Sequence, residues 1–197
     1  SSQLTSSRVV TSHSYFNGNE WYAKVVNDGQ WATDALSGGS GGLWPRGTNN
    51  SVLYDAGLWI GFKDDQDIIQ FSGVKHATDF TPGPYGVTDA DNDNYRVYKV
   101  NRWDDSAVSD WSDWPVNMGA PWEDNNSDGI YDPAVDQPYL PLDQTLYTVY
   151  NDSTDHDVFG NSINGIEVHQ TIFGGVSSAH NGLSRTFFIK YEIINKG

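Results

Sequence analysis

Oxygen-bearing side chains recur at every second position in the run Asp124-Asn125-Asn126-Ser127-Asp128-Gly129-Ile130-Tyr131-Asp132. Alternate spacing lets Asp124, Asn126, Asp128 and Asp132 turn toward one point, with the Ile130 carbonyl supplying a main-chain oxygen and Gly129 permitting a sharp turn. Calcium prefers roughly six to eight oxygen ligands in a flexible arrangement, whereas magnesium demands stricter octahedral geometry and keeps more water. The twelfth position counted from Asp124 is Val135, where an EF-hand loop carries a bidentate glutamate, and Asp136 follows it. Asp136 completes the ligand set if the loop is one residue longer, and Pro133 argues against a continuous exiting helix. The spacing predicts a calcium loop without the helix pair, a structural clamp. An Asx-rich turn that holds no metal is the alternative.

A second acidic run, Asp89-x-Asp91-x-Asp93, alternates in the same way but lacks a following glycine and a downstream acid at the right distance. It is a second candidate cation site, against a solvated acidic loop. Trp103, Trp111, Trp114 and Trp122 fall in the same acidic stretch. Indole faces flanked by carboxylates could form a sugar-stacking platform, with core packing as the rival use of so much aromatic area. Catalytic signals are missing. The five histidines, at 13, 76, 156, 169 and 180, show no His-Glu-x-x-His spacing, and no Gly-x-Ser-x-Gly elbow marks a serine hydrolase. His169 reads as a surface or edge residue. With 26 acidic residues, carboxylate pairs are inevitable and carry no information about glycosidase chemistry. Ser37 to Gly42 has neither the lysine nor the helix that a phosphate loop needs.

The elements that must hold these groups are short. Candidate strands are Arg8 to Tyr15, Trp21 to Asn27, Val52 to Phe62, Asp67 to Phe71, Tyr95 to Val100, Gln144 to Tyr150, Gly165 to Phe173 and Leu183 to Ile194. No stretch sustains a helical apolar period. In the seventh segment Ile166, Val168 and Ile172 alternate with Glu167, His169 and Thr171, which predicts one buried face. The turn-rich residues 174–182 predict a hairpin to the last strand. Between Thr81 and Asp143 proline, glycine, aspartate and tryptophan dominate, so this region reads as long ordered loops held by metal or aromatic packing. The expected fold is mostly β, an antiparallel sandwich-like single domain over 1–197, with the calcium-binding loop region at 81–143 inside it.

Composition bounds the partners. The formal charge of −15 repels nucleic acid phosphates and anionic lipid, and no apolar run is long enough to span a bilayer. Cysteine is absent, which removes disulfides, thiolate metal sites and a cysteine nucleophile. Low lysine and abundant Asn, Asp, Gly, Ser, Thr and Trp lean toward an exported protein.

Several segments, in order, carry a resemblance: Asn27-Asp28-Gly29-Gln30-Trp31, Leu43-Trp44-Pro45-Arg46-Gly47, Ala56-Gly57-Leu58-Trp59-Ile60-Gly61, Tyr95-Arg96-Val97-Tyr98-Lys99-Val100, Asp113-Trp114-Pro115, Gly119-Ala120-Pro121-Trp122, Asp128-Gly129-Ile130-Tyr131-Asp132-Pro133, Asp143-Gln144-Thr145-Leu146 and Phe188-Ile189-Lys190-Tyr191-Glu192-Ile193-Ile194-Asn195-Lys196. Together they resemble a family of large exported, type IX secretion-associated surface proteins of Bacteroidetes-type bacteria. The resemblance implies a secreted or cell-surface location and a multi-domain parent of which this chain is a fragment, processed product or subunit. It implies no established enzymatic activity. It also implies a modification, O-glycosylation at Asp-Ser/Thr followed by a small or apolar residue, for which Ser106 and Ser153 are candidates.

The reading that follows is a non-catalytic, calcium-stabilised surface domain for adhesion, or for assembly into a filament or surface layer through self-association or contacts with other surface proteins. The alternative is a carbohydrate-binding module, or accessory domain of a polysaccharide-degrading enzyme, that binds glycans through the tryptophans. Burial of those indoles discriminates between the two.

Overall fold

A computed structural model describes residues 12–33, 41–74, 79–154, 163–177 and 182–197. In chain order its strands are β1 (His13–Phe16), β2 (Tyr22–Val26), β3 (Gly42–Leu43), β4 (Ser51–Leu53), β5 (Trp59–Lys63), β6 (Ile69–Gly73) and β7 (Thr81–Pro82). They continue as β8 (Tyr98–Asn101), β9 (Trp122–Glu123), β10 (Gln137–Pro138), β11 (Gln144–Asn151), β12 (Ile166–Gly174) and β13 (Phe187–Asn195). Every pairing between these strands is antiparallel. The result is a mostly β, sandwich-like fold.

The organising element is the five-stranded sheet. Its long strands are ordered β13-β12-β11, and β11 carries β7 and β8 on its far side at opposite ends. β11 is rich in β-branched and aromatic residues, Thr145, Tyr147, Thr148, Val149 and Tyr150, whose side chains fit a pleated surface. All eight of its residues are buried, so both of its faces are covered. On one face Leu146 and Ile172 meet Phe16, Ala23 and Val25 of the β1–β4 sheet. Further along that face, Tyr150, Ile166 and Val168 meet Val74 and Phe80, with Ile60 and Phe62 of the β5–β6 hairpin packed alongside. On the other face Tyr147, Val149, Tyr98 and Val100 meet Trp111, Trp114 and Ala120 from the loop region.

That second cover changes several expectations. The expected solvent face of β12 is closed: Glu167 and Thr171 are buried and His169 is largely so, because Tyr85 lies against Glu167 and Gly119 against His169. His169 is therefore not a surface residue. The segment 52–62 is broken into β4 and β5 by Tyr54 to Leu58, and only Tyr98 onward of the segment 95–100 is strand, since Asp93–Tyr95 forms a 3-10 turn. Leu183–Arg185 is likewise a 3-10 turn that precedes β13. β12 and β13 do pair antiparallel, as the expected hairpin requires, with residues 178–181 outside the described residues. Residues 8–11 and 37–40 also lie outside them.

Residues 81–143 are ordered by side-chain anchors rather than by long strands. A single helical turn, α1 (Ser109–Ser112), is pinned to β8: the Lys99 N–H donates to Asp110 at 2.9 Å, and Arg96 reaches Asp110 and Asp113 at 3.0 and 3.3 Å. The Arg96 guanidinium also lies 4.1 Å from the centroid of the Tyr98 ring, within cation–π range.

Candidate functional site

The Asp124 run is the loop of a hairpin. β9 and β10 pair Glu123 with Gln137 and Trp122 with Pro138, so the thirteen residues from Asp124 to Asp136 form a closed excursion between them. Two-residue strands carry no recognisable period, which is why the sequence did not reveal this hairpin. Trp122 packs edge-on against Tyr131 at 5.6 Å between centroids. The Tyr131 hydroxyl donates to the Trp111 carbonyl at 2.7 Å, and the Trp111 indole N–H donates to the Pro133 carbonyl at 3.2 Å. The loop is thereby fastened to the core under the five-stranded sheet. Burial, reinforced by the negative Asp136, pushes the Tyr131 phenol well above its ordinary value, so it stays a donor.

Inside the loop the carboxylates collect main-chain N–H groups. Asp124 accepts from Ser127 at 2.6 Å and Gly129 at 2.9 Å, Asp128 from Ile130 at 2.8 Å, and Asp132 from Ala134 at 2.9 Å. Ser127 and Gly129 have left-handed φ values of 62° and 76°, which turn the intervening N–H groups toward Asp124. Asp136 is only 2% exposed, and its two oxygens accept from Asn125 at 2.9 Å and Asp132 at 2.8 Å, tying both limbs of the loop at its base. Val135 is exposed and its backbone N–H closes a turn to Asp132, so the position an EF-hand gives to glutamate is spent on the turn.

The donor set suits a hard cation in chemistry. Asp124 Oδ1 accepts from both Ser127 and Asp128, at 2.6 and 3.3 Å, but the Asp124 Oδ2, Asp128 Oδ1 and Asp132 Oδ1 atoms accept one N–H each and keep a second lone pair, all within one short loop. Among the described residues no three acidic or imidazole side chains are already gathered as a metal-binding group. Asn126 donates its amide to Asp128 at 2.8 Å, so a cation would require that side chain to present its oxygen instead. Ile130, whose carbonyl is the main-chain candidate, is exposed.

The second acidic run is built differently. Asp89 accepts from the Asn92 side chain at 2.7 Å, Asn92 caps the 3-10 turn through the Asn94 N–H, and Asp93 opens that turn. Asp91 is exposed. Asp89 and Asp93 thus shape a capped turn.

The tryptophans do not form one platform. Trp111 and Trp114 are 9% and 3% exposed, and Trp114 donates its indole N–H to the Pro121 carbonyl at 2.9 Å. Both are core, because the loop-covered face of the sheet needs large apolar area. Trp122 is half-buried against Tyr131, and Trp103 alone of the four is well exposed, at 73%. Beside this aromatic core lies a cleft of about 570 Å³ lined by Asn94, Tyr95, Tyr98, Asp113, Asn117 and Met118, among others. Of the glycan acceptors, Ser106 is exposed, whereas the Ser153 hydroxyl donates to Asn151 beside the fully buried Asp152.

One polar constellation escaped the sequence reading. On β12, Glu167 accepts from the Tyr85 N–H at 2.7 Å, meets His169 Nε2 at 2.9 Å and lies 3.4 Å from Lys196 Nζ. Burial alone would raise the Glu167 carboxyl. The Tyr85 bond, His169 and Lys196 outweigh it and hold the group below its ordinary value. Gly119, with a φ of 86°, sits so close to the imidazole that a Cβ there would lie 2.1 Å from its Cε1. The signal was present as two polar residues two apart in a long strand, but nothing in the sequence says which chain covers them. No family model, curated protein or solved structure matches this chain.

Proposed function

We propose that this is a non-catalytic, extracellular surface domain in which calcium at the Asp124 loop locks the loop region onto the sheet, leaving the β core to serve adhesion or assembly into a filament or surface layer. The observation that carries this reading is the anchoring of residues 124–136. The loop's base is tied by buried Asp136 and its side is pinned to the core by Tyr131, so a cation drawn to Asp124, Asn126, Asp128 and Asp132 would stabilise the cover of the whole sheet. The exported location rests on the resemblance to type IX secretion-associated surface proteins. Calcium binding only the folded state raises stability by mass action, about 2.7 kcal/mol at a free concentration one hundred times the dissociation constant.

The test is a pair of melting curves, with millimolar calcium and with chelator, on the purified chain and on Asp128→Ala. The parent should melt higher in calcium, and Asp128→Ala should lose most of that increment. Identical curves for the parent in both buffers defeat the calcium part. A monodisperse monomer by light scattering over a wide concentration range, with calcium present, defeats the assembly part.

The carbohydrate-binding reading is supported at a different place from the one expected. With Trp111 and Trp114 in the core, the surface suited to a sugar is the cleft beside Tyr95, where an aromatic ring borders the amides of Asn94 and Asn117 and the carboxylate of Asp113. Rings stack on pyranose faces and planar polar groups pair with vicinal hydroxyls. Titration calorimetry with cello-, xylo-, manno- and chito-hexaose tests it. Binding lost in Tyr95→Ala supports the reading, and no heat with any of the four removes it.

A further inference from the structure

β13 is the outermost strand of the five-stranded sheet. It pairs with β12 along all nine of its residues, and among the described residues no strand pairs with its other side. None of its residues is fully buried, in contrast to β11. Edge strands are commonly blunted by proline, by a bulge, by an inward-pointing charge or by charged side chains, and of these β13 carries the charged pair Lys190 and Glu192. β13 contains no proline and its register with β12 is unbroken. Phe188 and Ile193 are 41% and 53% exposed.

The order of residues along this edge is self-complementary. On the face shared with the loop region stand Phe188, Lys190, Glu192 and Ile194, and on the opposite face Phe187, Ile189, Tyr191, Ile193 and Asn195. We infer that β13 is a docking edge for a second copy of this chain, the two strands running antiparallel about a two-fold axis at Tyr191, an inference that rests on the assembly reading above. In that register Lys190 of each copy lies opposite Glu192 of the other, Phe188 opposite Ile194, Ile189 opposite Ile193, and Tyr191 opposite itself. Two ion pairs are flanked by apolar pairs on one face, and exposed Ile193 is covered from the other copy on the opposite face.

The charges select this register. A slip of one residue sets each side chain against the wrong face. The symmetric registers on either side that keep the faces matched place Lys190 on Lys190 or Glu192 on Glu192, a like-charge contact on the axis itself. Within one copy Lys190 and Glu192 are neighbours at 3.5 Å and both side chains are more than half exposed, so they are available to an opposing strand. The formal charge of −15 on each copy opposes association at long range, and salt near 0.15 M screens it to about 8 Å while leaving contact pairs intact. Isologous pairing closes at a dimer, with two five-stranded sheets joined into one, so the dimer is the building unit and a filament or layer needs a second contact elsewhere on the domain.

Sedimentation equilibrium in 0.15 M salt with calcium tests this on the parent chain, Lys190→Glu, Glu192→Lys and the double exchange. The parent should dimerise, each single reversal should weaken the dimer tenfold or more, and the double exchange should return it to within about threefold of the parent. Because the chain has no cysteine, the register is read independently from Lys190→Cys and Glu192→Cys proteins, which should form a disulfide dimer when mixed and not singly. A parent that stays monomeric overturns both this inference and the assembly reading. A parent that associates with unaltered affinity in both reversals overturns the β13 edge and leaves assembly through another surface. A disulfide dimer from Lys190→Cys alone, or none from the mixture, overturns the register.

Discussion

The two faces of the five-stranded sheet are closed by different means. One is covered by strands: Leu146 and Ile172 meet Phe16 and Val25, side chains supplied at a period of two from both layers. The other is covered by irregular chain, in which Trp111 and Trp114 provide the apolar area while Arg96, Asp110, Tyr131 and Asp136 hold the backbone in place. A strand layer satisfies its own main chain through its ladder. A loop layer must satisfy its backbone through side chains, which explains why this half of the molecule is rich in aspartate and asparagine whose oxygens accept N–H groups. It also explains why the loop-covered face tolerates Glu167 and His169: the cover brings a hydrogen-bond donor, the Tyr85 N–H, to the carboxylate.

If the loop cover is a true core layer, Trp114→Ala should destabilise by about 3–5 kcal/mol, at least matching the roughly 2–5 kcal/mol expected for Leu146→Ala on the strand-covered face. Chemical denaturation of both variants checks this, and a loss below 1 kcal/mol at Trp114 would make the loop region a loosely held flap. Next in size, Glu167→Gln should cost about 1–3 kcal/mol at neutral pH. Because the folded-state value of Glu167 lies below the ordinary 4.5, its contribution is complete above that value and disappears as pH falls through the folded one. The gap in stability between the parent and Glu167→Gln should therefore be widest at neutral pH and close in acid, as thermal melts across that range would record.

A smaller effect, about 1–2 kcal/mol, is expected for Asp136→Asn, which keeps the shape but loses the charge and one acceptor at the base of the Asp124 loop. Hydrogen exchange at the Asn125 and Asp132 amides should accelerate while amides of β11 stay protected. Acceleration throughout β11 would mean that the loop and the sheet unfold as one unit. Trp103→Ala should change stability by less than about 0.5 kcal/mol, since that indole is 73% exposed.

Legibility in the sequence followed the length of the elements. β11, β12 and β13 were visible because eight or nine residues suffice for alternation and β-branched composition to stand out. β3, β7, β9 and β10 are two residues each, too short for any period, and only their pairing partners define them. Of the candidate cation loop, the carboxylates at 124, 128, 132 and 136 and the turn at Gly129 were legible from spacing. The hairpin that frames them and the anchors at Tyr131 and Trp111 were not, since those contacts join residues some twenty positions apart.

By itself the sequence determined the β class, the acidic charge balance, the absence of thiol chemistry and the spacing of the carboxylates in the Asp124 loop, all of which depend on composition or on neighbours within a few residues. Tertiary structure alone decided which face of β12 is closed, which tryptophans are core, where Glu167 finds its partners and that β13 lies at the edge. Those outcomes depend on which distant segment lies against a given surface, and an amphipathic strand records only that one of its faces is suited to burial.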